Sequence, residues 1–140
     1  MSESAMSERA PEPVGAYPHA RRVGNLLFLS GVGPRESGTN RIPGAEMDAS
    51  GNVVSYDIEA QCRSVFKNVR AIVESAGLTW EDLVDVTVFL TNMKNDFHGY
   101  NKVYAEHFQT NRPCRTTVEV GALPTQIAIE LKCVAAFPDG

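Results

Sequence analysis

The chain has 140 residues, of which 43% are hydrophobic and 21% are charged, and its formal net charge is −4. That length predicts one domain with a core of its own, and the acidic balance argues against a nucleic-acid-binding protein, which usually presents a basic patch. No apolar run is long enough to span a membrane. The start, MSESAMSERAPEP, lacks the apolar centre of a signal peptide, so we expect a cytoplasmic protein.

The beginning of the chain is rich in Ser, Glu and Pro, which predicts a disordered lead over residues 1–12 and a single domain over residues 13–138. A short apolar strand, Leu26 to Ser30, follows Gly24 and Asn25. Residues 33–56 are rich in Gly, Pro, Ser and Asn and predict a long loop, with a minor strand near Val53 and Val54. Loops of this length are more often functional than inert.

A helix is predicted after Asp57, because apolar residues recur every three or four positions on one face: Ile58, Cys62, Val65, Phe66, Val69, Ile72, Val73 and Ala76. Asp57 or Ser55 can cap its start, and Gly77 ends it. The residues TWED, 79–82, form a capping box for one short turn. LVDVTVFLT then alternates as a strand does.

A second helix is expected from Asn95 or Asp96, with Phe97, Tyr100, Val103, Tyr104, His107 and Phe108 as its apolar stripe. Two strands close the chain, residues 114–120 and roughly 126–136, which we interpret as a hairpin joined by GALPT. The order is therefore strand, strand, helix, strand, helix, strand, strand.

Two helices can cover only one face of such a sheet. The predicted fold class is therefore α+β, a single domain with a mixed sheet and both helices on one side. The other face would carry Phe89 and Val118, and monomers rarely leave a large apolar patch exposed. We therefore expect an oligomer that buries this face, and a cyclic assembly would also place clefts between its subunits.

Two charged residues lie within the closing strands, Arg115 at the head of one and Glu130 in the middle of the other. Paired across a hairpin, they could form a cross-strand ion pair worth about 0.2–1 kcal/mol. In the functional alternative, the planar guanidinium of Arg115 grips a substrate carboxylate, and Glu130 holds a water or moves protons beside it. Spacing alone does not separate the two.

Other chemical groups give weaker signals. The three histidines, His19, His98 and His107, are not at metal-ligand spacing, and SGVGP opens no helix that could cradle a phosphate. Cys62, Cys114 and Cys133 form neither a disulfide pattern nor a zinc pattern. Arg115 could activate Cys114 as a thiolate, but no histidine lies nearby in sequence to act as a base.

Several longer motifs point to a known family: GAYPHARRVGNLLFLSG, DVTVFLTNM, YNKVYAEHF, and above all RPCRTTVEVGALP followed by IAIELKCVA. With these motifs the chain resembles the small trimeric reactive-intermediate (enamine/imine) deaminases, also described as translation-inhibitor or perchloric-acid-soluble proteins. The resemblance runs from about Val14 to Ala136. The long loop after Gly31 and the stretch TTVEVGALPTQIAIELK are most similar to the members that deaminate 2-aminomuconate.

The resemblance implies a chorismate-mutase-like β-β-α-β-α-β-β fold and a homotrimer with three sites at its subunit interfaces, with pairing of trimers into hexamers left open. It implies no metal and no cofactor, and a small dicarboxylate enamine as substrate. Arg115 matches the family's carboxylate-binding arginine, and Glu130 its water-positioning glutamate. The substrate-binding positions implied are Tyr17, Ser30, Phe89, Asn101 and Thr117.

Thr117 is also a departure, because many family members have Cys there, so a thiol role at that position cannot apply. Cys114 has the wrong strand parity to replace it. A dicarboxylate needs a second cation, since burying an unpaired carboxylate is costly. We expect it from Arg35 or Arg41 in the long loop, or from His19. The alternative is that these residues are solvated surface charges.

The alternatives are a broad 2-aminoacrylate-type deaminase, a non-catalytic small-ligand-binding trimer, and a ribonuclease or translation inhibitor. The long loop argues against the first and the acidic balance against the last.

Overall fold

A computed structural model describes residues 2–138 and folds them into a six-stranded mixed sheet with two helices on one face. The strands are β1 (Ser2–Ala5), β2 (Ala20–Val23), β3 (Leu26–Leu29), β4 (Glu46–Met47), β5 (Val53–Ser55), β6 (Leu83–Leu90), β7 (Cys114–Glu119) and β8 (Ile129–Ala136). The helices are α1 (Ile58–Ser75) and α2 (Met93–His107), and a 3-10 turn, Trp80–Asp82, precedes β6. The sheet order is β1-β2-β3-β8-β6-β7, and β4 pairs only with β5. The predicted α+β class is confirmed.

Capping side chains set where both helices begin. The carboxylate of Asp57 accepts hydrogen bonds from the backbone N–H groups of Glu59 and Ala60, so α1 starts as predicted. Helix α2 starts at Met93, earlier than predicted, because the side chain of Asn92 accepts from the Asn95 N–H. The apolar stripe of α1 packs on the sheet, and its residues Cys62, Val65, Phe66, Val69, Ile72 and Val73 are buried.

The core lies between the helices and the face of the sheet that they cover. The strands send alternate side chains into it, as their period-2 patterns predict, and these are almost wholly buried: Leu27, Leu29, Val86, Val88, Leu90, Ile129, Leu131, Cys133 and Ala135. The aromatic end of this core joins α1 and α2, where Phe66 packs against Trp80 and Phe108 at ring-centre distances of 5.6 Å.

The expected hairpin between the last two strands is wrong. Strand β7 pairs in parallel with β6, and β8 pairs antiparallel with the opposite edge of β6, so β6 separates β7 from β8. The cause is helix α2, because a strand–helix–strand connection makes its two strands parallel neighbours. The chain then returns past the end of β6 to form β8.

The beginning of the chain also differs from the expected disordered lead over residues 1–12. Strand β1 pairs antiparallel with β2, in a register that sets Glu3 opposite Arg22 and Ala5 opposite Ala20. The polar composition of this segment hid its role, since an edge strand is stabilised by backbone hydrogen bonds as well as by apolar burial.

The face of the sheet away from the helices carries exposed apolar side chains. Phe28 is 39% exposed and Val118 is 37% exposed, and Phe89 lies between β7 and β8 in register with both Val118 and Glu130. We call this surface the open face. Among the described residues, no helix is long and apolar enough to cross a membrane.

Candidate active site

Arg115 lies on the helix-covered side of β7, because its register partner on β6 is the buried Val86. Its Nη1 donates a hydrogen bond of 2.8 Å to the side-chain oxygen of Asn101 on α2. Its guanidinium carbon lies 4.7 Å from the ring centre of Tyr104 and 5.4 Å from that of Tyr100. None of these partners is acidic, so the charge of Arg115 is oriented without being neutralised.

Thr117 faces the same side as Arg115, two positions further along β7. Its hydroxyl lies 2.8 Å from that of Tyr100, and burial raises the pKa of this tyrosine. Burial also raises the pKa of Tyr104, whose hydroxyl is buried with no hydrogen-bond partner among the described residues. We call Arg115, Asn101 and Thr117 the arginine half-site.

Glu130 lies on β8 with its side chain on the open face, beside Phe89 of β6. Its carboxylate packs against Gly31, where an added Cβ would lie 2.6 Å from Oε2. Partial burial raises the pKa of Glu130, because removal from water disfavours the charged form. The glycine therefore leaves room for a carboxyl group that holds its proton more tightly than an ordinary glutamate.

Ser30 and Tyr17 lie next to Gly31. The Ser30 hydroxyl donates a 2.7 Å hydrogen bond to the carbonyl of Pro18, and the Tyr17 hydroxyl accepts one from the Val14 N–H at 3.2 Å. A pocket beside Gly31 is lined by Tyr17, Ser30 and Arg35, and by residues 10–13 of the chain's beginning. We call Glu130, Ser30, Tyr17 and Phe89 the glutamate half-site.

The three groups considered for a second cation have different surroundings. Arg35 lines the pocket and donates to the Asn40 side chain at 2.7 Å and to the Glu12 carbonyl at 3.1 Å. Arg41 forms an exposed ion pair with Glu36 at 3.3 Å. His19 is buried with both ring nitrogens on backbone groups, so it does not offer a free charge.

The two half-sites do not meet within one chain. Arg115 aligns with Val86 on β6, whereas Glu130 aligns with Phe89, so the two residues lie two strands and three positions apart. That corresponds to about 14 Å between their Cα atoms. Their side chains also leave opposite faces of the sheet, which rules out the cross-strand ion pair within one chain.

Cys114 leaves β7 on the open face, opposite in parity to Arg115 and Thr117, as expected. Within the described residues, no group of three or more His, Cys, Asp or Glu could hold a metal ion. His107 packs edge-on against Phe66 at 4.9 Å and hydrogen-bonds the Val103 carbonyl at 2.9 Å. Both contacts agree with its place in the predicted apolar stripe of α2.

Sequence reasoning missed one cation near Arg115. Arg112 lines the same surface pocket as Arg115, together with Tyr104, Phe108 and Gln109, and that pocket has no acidic lining residue. Within the described part of the chain, Arg112 has no hydrogen bond or ion pair. Its spacing of three from Arg115 was the available signal, but Pro113 between them obscured which way either side chain points.

The fold defines the class of this protein: a small α+β domain with two helices on one face of a mixed sheet and an uncovered opposite face. The chain belongs to the family described as Endoribonuclease L-PSP, which matches residues 7–137.

Curated relatives match over nearly the full length. A RutC family protein of Pyrococcus horikoshii is 40% identical, over 96% of this chain and 98% of the relative. A protein named Reactive Intermediate Deaminase A, chloroplastic, of Arabidopsis thaliana is 35% identical over 96% of this chain and 66% of its own length.

Solved structures with the same fold also match over nearly the full length. The E. coli YjgF gene product is 34% identical with a TM-score of 0.82, covering 96% of this chain and 98% of that one. E. coli TdcF, solved with bound serine, is 33% identical with a TM-score of 0.83 at the same coverage of 96% and 98%.

Proposed function

We propose that the protein is a hydrolytic deaminase that acts on an enamine or imine beside a carboxylate, and that its substrate is 2-aminomuconate. The observation that carries this is Arg115, a cation held by Asn101 and two tyrosine rings with no acidic partner among the described residues. A carboxylate is the ligand that such a planar, unneutralised guanidinium binds best. The relative named a reactive intermediate deaminase and the neighbour with bound serine support the same class.

The complete site lies between two copies of the chain in a homotrimer. Each copy would supply its arginine half-site to one interface and its glutamate half-site to the next. Two observations support this: Arg115 and Glu130 leave opposite faces of the sheet, and the open face carries Phe28 and Val118 partly exposed. Because β7 is an edge strand of the sheet, a copy that packs this edge against the open face of its neighbour would bring the two half-sites together.

The reaction is 2-aminomuconate plus water giving 2-oxohex-3-enedioate (4-oxalocrotonate) and ammonia. Water does not attack the nitrogen-bearing carbon of an enamine until a proton is added at carbon, which produces an iminium. Water then adds, and ammonia leaves. Arg115 fixes the neighbouring carboxylate, so the reacting carbon is held in one place throughout.

Glu130 moves the protons. Burial raises its pKa, so Glu130 keeps its proton to a higher pH than an ordinary glutamate, which suits a general acid–base. The protonated form donates the proton to carbon that produces the iminium. The ionised form then orients the attacking water, takes its proton and returns it to the departing nitrogen. As ammonia leaves, the new carbonyl group forms and its hydroxyl proton returns to Glu130, which restores the starting state. Tyr17, Ser30 and Phe89 would wall the pocket on this side, and Asn101 and Thr117 on the arginine side.

The far carboxylate of 2-aminomuconate would need a second cation. Arg35 and Arg41 remain our candidates from the sequence, and Arg112 is a third because it lines the pocket of Arg115. Three matched variants separate them: Arg35→Gln, Arg41→Gln and Arg112→Gln, each assayed on 2-aminomuconate and on 2-aminoacrylate. A loss confined to the dicarboxylate identifies the cation, and equal losses on both substrates in all three would contradict a dicarboxylate site.

The deciding experiment is ammonia release from freshly generated 2-aminomuconate compared with 2-aminoacrylate. We expect a higher kcat/KM for 2-aminomuconate. A clear preference for 2-aminoacrylate would favour the second candidate, a broad enamine/imine deaminase, which the name of the Arabidopsis relative supports. Full deaminase activity in Arg115→Ala would mean that Arg115 is structural and that the proposed site is wrong. No ammonia release from either substrate would instead favour a non-catalytic ligand-binding protein.

A further inference from the structure

Residues 6–13, which we call the N-terminal arm, connect β1 to the pocket beside Gly31. Ala10 is 3% exposed, and Pro11 is also buried. Residues 10–13 line that pocket together with Ser30 and Gly31. The arm therefore contributes one wall to a pocket that Gly31 also lines, and the Glu130 carboxylate packs against Gly31. The resemblance assigned no role to the arm.

The imidazole of His19 holds this arm through both of its nitrogens. The Ser7 N–H donates to Nδ1 at 2.9 Å, and Nε2 lies 2.8 Å from the Pro11 carbonyl oxygen. A backbone N–H can only donate and a carbonyl can only accept. The ring is therefore the neutral tautomer with its proton on Nε2, and no other tautomer satisfies both contacts.

The backbone of the same histidine is joined to the catalytic side. The carbonyl of His19 accepts from the Ser30 N–H at 2.9 Å. Thus a single residue connects the wall formed by the arm to the strand end that carries Ser30 and Gly31. Any displacement of the ring would change the width of the pocket between these two walls.

The long loop adds two weaker contacts to the arm. Arg35 donates to the Glu12 carbonyl at 3.1 Å, and the Ser37 hydroxyl donates to the Glu8 carbonyl at 2.9 Å. The ion pair of Arg9 with Glu74, at 3.0 Å, is exposed, so it contributes little. His19 provides the only buried pair of contacts among these.

We propose that residues 10–13 of the N-terminal arm form a wall of the substrate pocket and that His19 is a positioning residue that fixes this wall. The inference rests on the proposed site at Glu130. The ring touches no reacting atom, so its loss weakens substrate binding while leaving the chemical step in place. The wall limits which substrates fit, and its release admits bulkier ones.

The test compares His19→Leu with His19→Gln, which restores an acceptor and a donor side by side. Loss of two buried hydrogen bonds should raise KM about tenfold and change kcat by less than about threefold. His19→Gln should return KM to within about threefold of the wild type. His98→Leu, on the exposed surface of α2, is the matched control and should leave both constants unchanged.

A second readout needs no catalysis. Trypsin cleaves after Arg9, within the arm. His19→Leu should speed that cleavage about tenfold. In the wild type, bound muconate, a dicarboxylate without the amino group, should slow it. If His19→Leu fails to fold, Ser7→Pro removes the N–H that donates to Nδ1 and leaves the ring in place.

The outcomes are distinct. If both His19→Leu and Ser7→Pro are cleaved after Arg9 at the wild-type rate, the role of His19 is overturned. Faster cleavage with unchanged KM, or no protection by muconate, overturns the wall. Equal loss of kcat in His19→Leu and His19→Gln would mean that the ring takes part in the chemistry. If the protein has no deaminase activity, the proposed function fails while cleavage at Arg9 still tests the arm.

Discussion

Gly31 marks the position where one methyl group would reach the carboxylate of Glu130. An added Cβ would lie 2.6 Å from Oε2, closer than van der Waals contact allows. Gly31→Ala should therefore displace the carboxylate and lower kcat at least about tenfold, because small misplacements of a reacting group are costly. A Cβ added at Gly121 has no other atom within 4 Å, so Gly121→Ala should behave as the wild type in the same ammonia-release assay. Wild-type kcat in Gly31→Ala would contradict the role of Glu130.

Glu130 also predicts a pH dependence. Burial raises its pKa above the ordinary value of 4.5, so the ionised form that orients water is lost as the pH falls through this raised pKa. In the complex with substrate, Arg115 is paired with the substrate carboxylate and does not offset the shift. We expect kcat to fall on the acid side at a pH above 4.5, and we expect this limb to vanish in the residual activity of Glu130→Gln. An unchanged limb in that variant would assign it to another group.

The element scale shows how α1 supports the start of β8. The buried Gln61 accepts a 2.9 Å hydrogen bond from the Ala128 N–H, two residues before Glu130. Gln61→Leu would leave that N–H unpaired, so urea unfolding should show a free energy of unfolding lower by about 1–3 kcal/mol. Lys67→Leu, on the exposed side of the same helix, should stay within about 0.5 kcal/mol. If Gln61→Leu also lowered the free energy of unfolding by less than about 0.5 kcal/mol, the hydrogen bond to Ala128 would not stabilise β8.

The sequence predicted the helices and strands themselves better than it predicted which strands pair in the sheet. Helix α1 and strand β6 were predictable because their apolar periods are long and their caps, Asp57 and the TWED box, are local signals. The order of β7, β6 and β8 was not, because pairing depends on the path of α2 across the sheet. The arm was missed because its contacts are backbone hydrogen bonds to His19, which leave no pattern of apolar residues.

The candidate site divides in the same way. Motif resemblance located Arg115, Glu130 and Thr117, and strand parity correctly separated Cys114 from them. What could not be read from the chain was that Arg115 and Glu130 leave opposite faces, since the hairpin interpretation put them side by side. Arg112 could likewise not be predicted from the sequence, because only the folded chain places it in the pocket of Arg115.

At the scale of the whole molecule, the open face predicts assembly. Val118→Asp places a charge on a side chain that is 37% exposed in the single chain and that we expect to be buried between copies. Sedimentation should show dissociation to monomers with loss of activity, because an unpaired buried charge is costly. Val54→Asp, outside the six-stranded sheet and 63% exposed, is the control and should leave the oligomer intact. An intact trimer in Val118→Asp would place the interface elsewhere.

The central claim, that one copy supplies Arg115 and its neighbour supplies Glu130, is tested most directly by mixing two variants that each retain only residual activity. Arg115→Ala and Glu130→Gln subunits, unfolded together and refolded in equal amounts, should form mixed trimers in which one of three interfaces carries both native residues. Random assembly predicts about a quarter of wild-type activity, well above the residual activity of either variant alone. A mixture no more active than its parents, with mixed trimers verified by mass, would contradict a site shared between subunits.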